Sequence, residues 1–222
     1  MHEMCSVGNY ELVLLLIQKG LPVNEENEFG FTQLHLASHE GHTNIVELLL
    51  SHGATAVVNK GQNTGSRPLH FASHEGHKEI VKILLHHGAD IHQGSIIQSR
   101  PIHLATHEIH IDVVKILIEN GANVNDINKN GSTPLHLASY NNLTEMAELL
   151  IKNGADINKA KLDKRTPLHV ACRYGNSEIV SLLWKYKALV NQPDKFGRTP
   201  LSYANENRNE QIISILQTID HS

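Results

Sequence analysis

Three His-Glu pairs, His39-Glu40, His74-Glu75 and His107-Glu108, are the residues whose types invite chemistry, since an imidazole beside a carboxylate can hold a metal ion or move a proton. A zinc-protease helix needs H-E-x-x-H, two histidines four residues apart on one face, whereas here the next histidine (His42, His77, His110) follows each Glu by two. If the pairs sit on neighbouring helices, about 8–10 Å separates them, too far for a compact tetrahedral site. No phosphate-cradling G-x-x-x-x-G-K-[ST], no G-x-G-x-x-G and no nucleophile elbow G-x-S-x-G occurs. A His-rich metal site is therefore a remote alternative. The chain is expected to be non-catalytic and to need no cofactor.

Composition narrows the classes further. The 222 residues are 40% hydrophobic, enough for a sizeable core. Nineteen Lys and Arg against 23 Asp and Glu, with no run of one sign, give a formal charge of -4, which argues against nucleic acid or a membrane surface as partner. No apolar stretch approaches the roughly 18 residues of a membrane span, and the run Leu12 to Ile17 lacks the basic leader of a signal peptide. Cys5 and Cys172 cannot form a disulfide framework. A reducing, cytoplasmic location is expected, or a host cytosol for a secreted effector.

The elements that position the pairs follow from a repeat. TQLHLA from Thr32, RPLHFA from Arg67, RPIHLA from Arg100, TPLHLA from Thr133, TPLHVA from Thr166 and TPLSYA from Thr199 start 35, 33, 33, 33 and 33 residues apart. Pro68, Pro101, Pro134, Pro167 and Pro200 suit the first turn of a short helix. A second helix follows, with stripes such as Ile45, Val46, Leu48 and Leu49, an acid or amide at its start (Glu11, Asn44, Glu79, Asp112, Glu145, Glu178, Gln211) and a terminal glycine (Gly20, Gly53, Gly88, Gly121, Gly154) that Lys187 replaces late in the chain. Two extra residues between Gly53 and Asn59 should bulge that turn outward.

The period, the T-P-L-H-x-A motif and the glycine-capped second helix resemble the ankyrin repeat family over essentially the whole chain. The resemblance implies an all-α solenoid of stacked helix-turn-helix units with β-hairpin-like turns, expected to form one domain over 1–222 and a curved rod. Its units are an N-cap at 1–24, then 25–59, 60–92, 93–125, 126–158, 159–191 and a C-cap at 192–222. It implies a monomer that binds a partner protein, with the targeting arm of a larger catalytic protein or bacterial effector as the alternative.

With the register known, the 17 histidines sort by column. His2, His35, His70, His103, His136 and His169 occupy the motif, where the family's imidazole staples neighbouring backbone. His42, His77 and His110 begin second helices, and His52 and His87 precede their terminal glycines, where a cation suits the helix dipole. The His-Glu column is different, becoming Tyr140-Asn141 and then Arg173-Tyr174 in later units. In the family these positions end the first helix and face the concave groove, so they are expected to contact the partner. Phe29 and Phe31, Ile96 and Ile97, and Phe196 at the turn tips complete the expected contact set, being apolar or aromatic. The family also implies Asn125 and Asn158, with His92 at the equivalent place, as candidates for an asparaginyl hydroxylase.

Overall fold

The computed structural model describes residues 1–217, among which lie fourteen α-helices and no β-strand, only an isolated bridge between Glu26 and Thr32. The expected repeats fall into two compact units, Met1–Ala122 and Asn123–Ser222. The first holds four helix pairs: α1 (His2–Ser6) with α2 (Tyr10–Gln18), α3 (Gln33–Glu40) with α4 (Thr43–Ser51), α5 (Pro68–His74) with α6 (Lys78–His86), and α7 (Pro101–His107) with α8 (Ile111–Glu119). The second holds α9 (Pro134–Tyr140) with α10 (Thr144–Lys152), α11 (Pro167–Tyr174) with α12 (Ser177–Lys185), and α13 (Pro200–Glu206) with α14 (Glu210–Gln217). The last five residues of the expected 192–222 cap lie outside the described residues.

Each helix forms where its punctuation demands. Proline stands at the first position of α5, α7, α9, α11 and α13, where its missing N–H leaves nothing unpaired. The stripes of α4 (Ile45, Val46, Leu48, Leu49) and α8 (Val113, Val114, Ile116, Leu117) are buried. A fully buried leucine such as Leu49 or Leu117 contributes roughly 1.5–3 kcal/mol. The second helices stop at left-handed residues, and Lys187 adopts φ 67° where glycine stands elsewhere. The turns close as hairpins, Asn27 N–H donating to Phe31 O at 2.9 Å and Asn128 N–H to Ser132 O at 3.0 Å. Successive tips join by single bonds, as from Ile96 N–H to Thr64 O at 2.9 Å. The two-residue insertion does more than bulge: Ala54–Val57 wind into a 3-10 turn that buries Ala54 and, just beyond it, Val58.

The motif histidines tie repeat to repeat. His35 accepts the Thr32 backbone N–H on Nδ1 at 3.1 Å, and its Nε2 donates to Ser66 O, one repeat on, at 3.2 Å. His70 reaches Ser99 O at 3.1 Å, His136 reaches Arg165 O at 3.1 Å and His169 reaches Arg198 O at 3.2 Å. Because a carbonyl can only accept and Nδ1 is receiving an N–H, each ring is the neutral Nε2–H tautomer. Burial pushes His35, His70 and His136 down to about 4, and His169 in the same direction.

A second column repeats the device in the first unit. His42, His77 and His110 donate from Nε2 to Ser6 O, His39 O and His74 O at 2.9, 3.0 and 2.8 Å. Their rings lie over Gly8, Gly41 and Gly76, where a Cβ would come within 2.6, 2.6 and 2.5 Å of the imidazole. The glycine column continues as Ile109, a β-branched residue at φ 67°. His52 and His87 donate from Nδ1 to Leu48 O and Ile83 O in the last turns of their helices, both at 2.8 Å.

Three outcomes follow from this packing. The unfolded chain protonates near the ordinary histidine value of about 6.5, whereas the folded state excludes protons from His35, His70 and His136 down to about 4. Unfolding therefore takes up about three protons between these limits. The urea unfolding free energy is expected to fall as pH drops from about 6.5 toward 4, and a flat profile there would contradict the assignment. Relief of the left-handed strain makes Ile109→Gly raise that free energy by roughly 0.5–1.5 kcal/mol, net of the greater freedom of the unfolded chain. Gly41→Ala, at φ 81° beneath His77, should lower it by at least about 1 kcal/mol.

Candidate functional site

In the first unit the ends of α3, α5 and α7 bring the three His-Glu pairs into one row. His39, His74 and His107 each donate from Nδ1 to the adjacent Glu40, Glu75 and Glu108, at 2.9, 2.6 and 2.7 Å. The far nitrogens reach across repeats: His39 Nε2 lies 3.6 Å from Glu75 Oε1, and His74 Nε2 lies 3.5 Å from Glu108 Oε1. Glu75 is thus held between His39 and His74, and Glu108 between His74 and His107. The hydrogen bond from His107, with the neighbouring histidines, holds the Glu108 carboxyl below the usual range. Among the described residues, no three of His, Cys, Asp and Glu converge as metal ligands.

Beneath the row lie half-buried side chains from the variable position of the motif, Leu36, Phe71 and Leu104. Phe71 stands edge-on to His39 at 5.6 Å and tilted against Phe31 at 5.4 Å. Between the first two rungs is a hollow of about 180 Å³, lined by Phe71, Leu104 and His70 with His39, His74 and Glu75. Phe31 is half-buried, its ring against Phe71 and its carbonyl accepting from His2 Nε2 at 3.0 Å. Phe71 and Leu104 were not singled out from the sequence; the aromatic in RPLHFA was the available signal. At the tips of this unit Phe29, Ile96 and Ile97 are exposed, the two isoleucines by 65% and 56%.

In the second unit the same column is aromatic and cationic. The half-exposed rings of Tyr140 and Tyr174 meet edge to face with centroids 4.4 Å apart. The Arg173 guanidinium lies 5.9 Å from the Tyr174 ring and 5.9 Å from Tyr203. Asn141 closes α9 at its C-cap. Phe196 is exposed at its tip with Arg198 stacked 5.4 Å away, and Leu162, passed over in the sequence, is more exposed still. Behind them Asp194 is buried. Burial alone would raise its carboxyl, but the Tyr203 hydroxyl at 2.6 Å and the N–H groups of Arg198 and Phe196 outweigh that and hold it at about 2. Arg165 and Arg198 face the same carboxylate at 3.6 and 3.8 Å, so this cluster braces α13 against the turn.

The cysteines are buried, and two of the turn candidates make bonds between repeats. Burial pushes the Cys5 and Cys172 thiols up to about 11 and about 12, which removes them as nucleophiles at neutral pH. Asn125 clamps the next repeat, its Nδ2 donating to Gly154 O at 2.8 Å and its Oδ1 accepting from Asp156 N–H at 2.7 Å. Asn158 Oδ1 accepts from Leu189 N–H at 2.9 Å, while His92 is exposed. Among the described residues no helix is long and apolar enough to cross a membrane.

A family profile described as ankyrin repeats matches residues 1–95, 97–161 and 158–221. The human and mouse proteins named protein phosphatase 1 regulatory subunit 27 are each 39% identical over 54 residues, 24% of this chain and 35% of theirs. A putative ankyrin repeat protein of fowlpox virus, FPV219, is 40% identical over 60 residues, 27% of this chain and 14% of its own length. The chain therefore spans about a third or less of the curated relatives it matches. The stapled motif histidines, the helix pairs and the profile agree that this chain belongs to the ankyrin repeat family.

Proposed function

We propose that the chain is a non-catalytic protein-interaction module whose contacts are made by the ends of the first helices and by the turn tips. The observation that carries this reading is the column after the motif. While neighbouring columns are consumed by staples, caps and core, these side chains stay half-exposed at the same place in successive repeats and change from His-Glu to Tyr-Asn to Arg-Tyr. Most scaffold positions keep one chemistry because each repeat makes the same internal contacts, and a half-exposed column that changes chemistry is free to follow a partner. Aromatic and arginine side chains there are the types enriched among binding hot spots.

In the first unit the contact set is His39, Glu40, His74, Glu75, His107 and Glu108, with Phe29, Ile96 and Ile97 at its tips. In the second it is Tyr140, Asn141, Arg173 and Tyr174, with Phe196. Phe31 acts behind them by supporting Phe71. A rigid repeat stack loses little ordering entropy on association, so even modest contacts count toward affinity. One relative is named a regulatory subunit of a phosphatase, which supports binding rather than catalysis. Two buried free thiols fit a reducing compartment.

Affinity capture from the native host or its target cells tests this, comparing wild type with His74→Ala/His107→Ala and with Tyr140→Ala/Arg173→Ala. All four side chains are exposed or half-exposed, so both variants are expected to fold. A captured partner is expected to weaken by about tenfold or more in at least one variant. A partner held equally by wild type and both variants would move the contact elsewhere.

A further inference from the structure

The carboxylates of the first-unit row are unusual in what they lack. Glu40, Glu75 and Glu108 pair with histidine alone; among the described residues no Lys or Arg nitrogen lies within ion-pair distance of them. The imbalance extends beyond the row, since residues 1–122 carry seven Lys and Arg against thirteen Asp and Glu, whereas residues 123–222 carry twelve against ten. Three half-exposed carboxylates therefore recur once per repeat in an acidic environment, oriented by imidazoles and short of cations.

Their spacing selects the form of a cationic partner. Neighbouring helices stack at roughly 8–10 Å. A polyproline II segment advances about 3.1 Å per residue and returns to the same face every third residue, a step of about 9 Å. A fully extended strand presents one face about every 6.6 Å and drifts out of step with the row. The hollow of about 180 Å³ between the His39 and His74 rungs, floored by Phe71 and Leu104, is sized for a prolyl ring or a small apolar side chain. An α-helix, about 10–12 Å across, is too wide to enter it.

We infer that the His-Glu row of the first unit docks an extended basic segment of a partner protein, with Lys or Arg at every third residue and proline or another small apolar residue between. Each cation meets one of Glu40, Glu75 and Glu108, and an intervening apolar group fills the hollow over Phe71. This deepens the interaction reading above and rests on it.

The test uses the full chain and a fluorescein-labelled peptide of four Arg-Pro-Ala repeats, read by anisotropy. Two control peptides are a permuted one with all arginines at one end and a version with Glu in place of Arg. The variant is Glu40→Gln/Glu75→Gln/Glu108→Gln, which keeps side-chain shape at surface positions. Wild type is expected to bind the repeat peptide, more weakly as salt rises, and at least about tenfold more tightly than the triple variant does. The permuted peptide should bind several-fold more weakly and the acidic one not at all. No binding by wild type, or equal binding by the triple variant or by either control peptide, overturns the inference. A cellular partner captured by wild type and retained by the triple Gln variant would overturn this inference and leave the interaction reading standing.

Discussion

A buried imidazole that receives a backbone N–H on one nitrogen and gives its proton to the next repeat's carbonyl from the other is the interaction on which the rest of each unit depends. One ankyrin repeat is two short helices that cannot bury their apolar stripes alone. His35, His70, His136 and His169 set the offset between neighbours by joining the start of one first helix to the turn that precedes the next. The bond removes two liabilities at once, an orphan N–H at a helix start and a buried carbonyl. The last described repeat shows the logic by exception. Ser202 replaces histidine there and still accepts from Thr199 N–H at 3.2 Å.

Once that offset is fixed, neighbouring columns inherit their roles. Asn59 and Asn125 clamp the following turn, and histidines at the starts of second helices seat their rings over glycines of the preceding repeat. What remains uncommitted is the column just beyond the motif, where side chains stand half-exposed in register. In the first unit that register converts three separate dipeptides into an alternating row in which each inner carboxylate is shared by two imidazoles. In the second it sets Tyr140 edge to face with Tyr174 beside Arg173. The scaffold's regularity is what gives these surfaces their spacing, and spacing is what a repeat surface can offer a partner.

The repeat architecture was legible in the chain because its signals are local. Proline at the first helical position, glycine or Lys187 at the left-handed stop, and the apolar stripes each report a backbone state within a few residues. The staple column was legible from the family pattern. Contacts between repeats were not, because they depend on how one unit is displaced against the next. Nothing in His39-Glu40 taken alone indicates that His39 also faces Glu75, and nothing in the turn around Phe31 indicates that its ring is taken up by Phe71. The insertion after Gly53 was visible as extra length, yet its burial of Ala54 and Val58 depends on apolar space that only the stack creates. Ile109 in a left-handed conformation is a case where tertiary context overrides local preference.

The most direct measurement is a long-range proton–nitrogen correlation spectrum of the imidazoles at neutral pH, with assignments from single His→Gln variants. For His35, His70, His136 and His169 the account predicts an unprotonated Nδ1 and a protonated Nε2 whose hydrogen exchanges slowly with water, as befits a buried bond between repeats. The opposite tautomer, or an imidazolium at these positions, would contradict the claim that neutral histidines hold the stack in register.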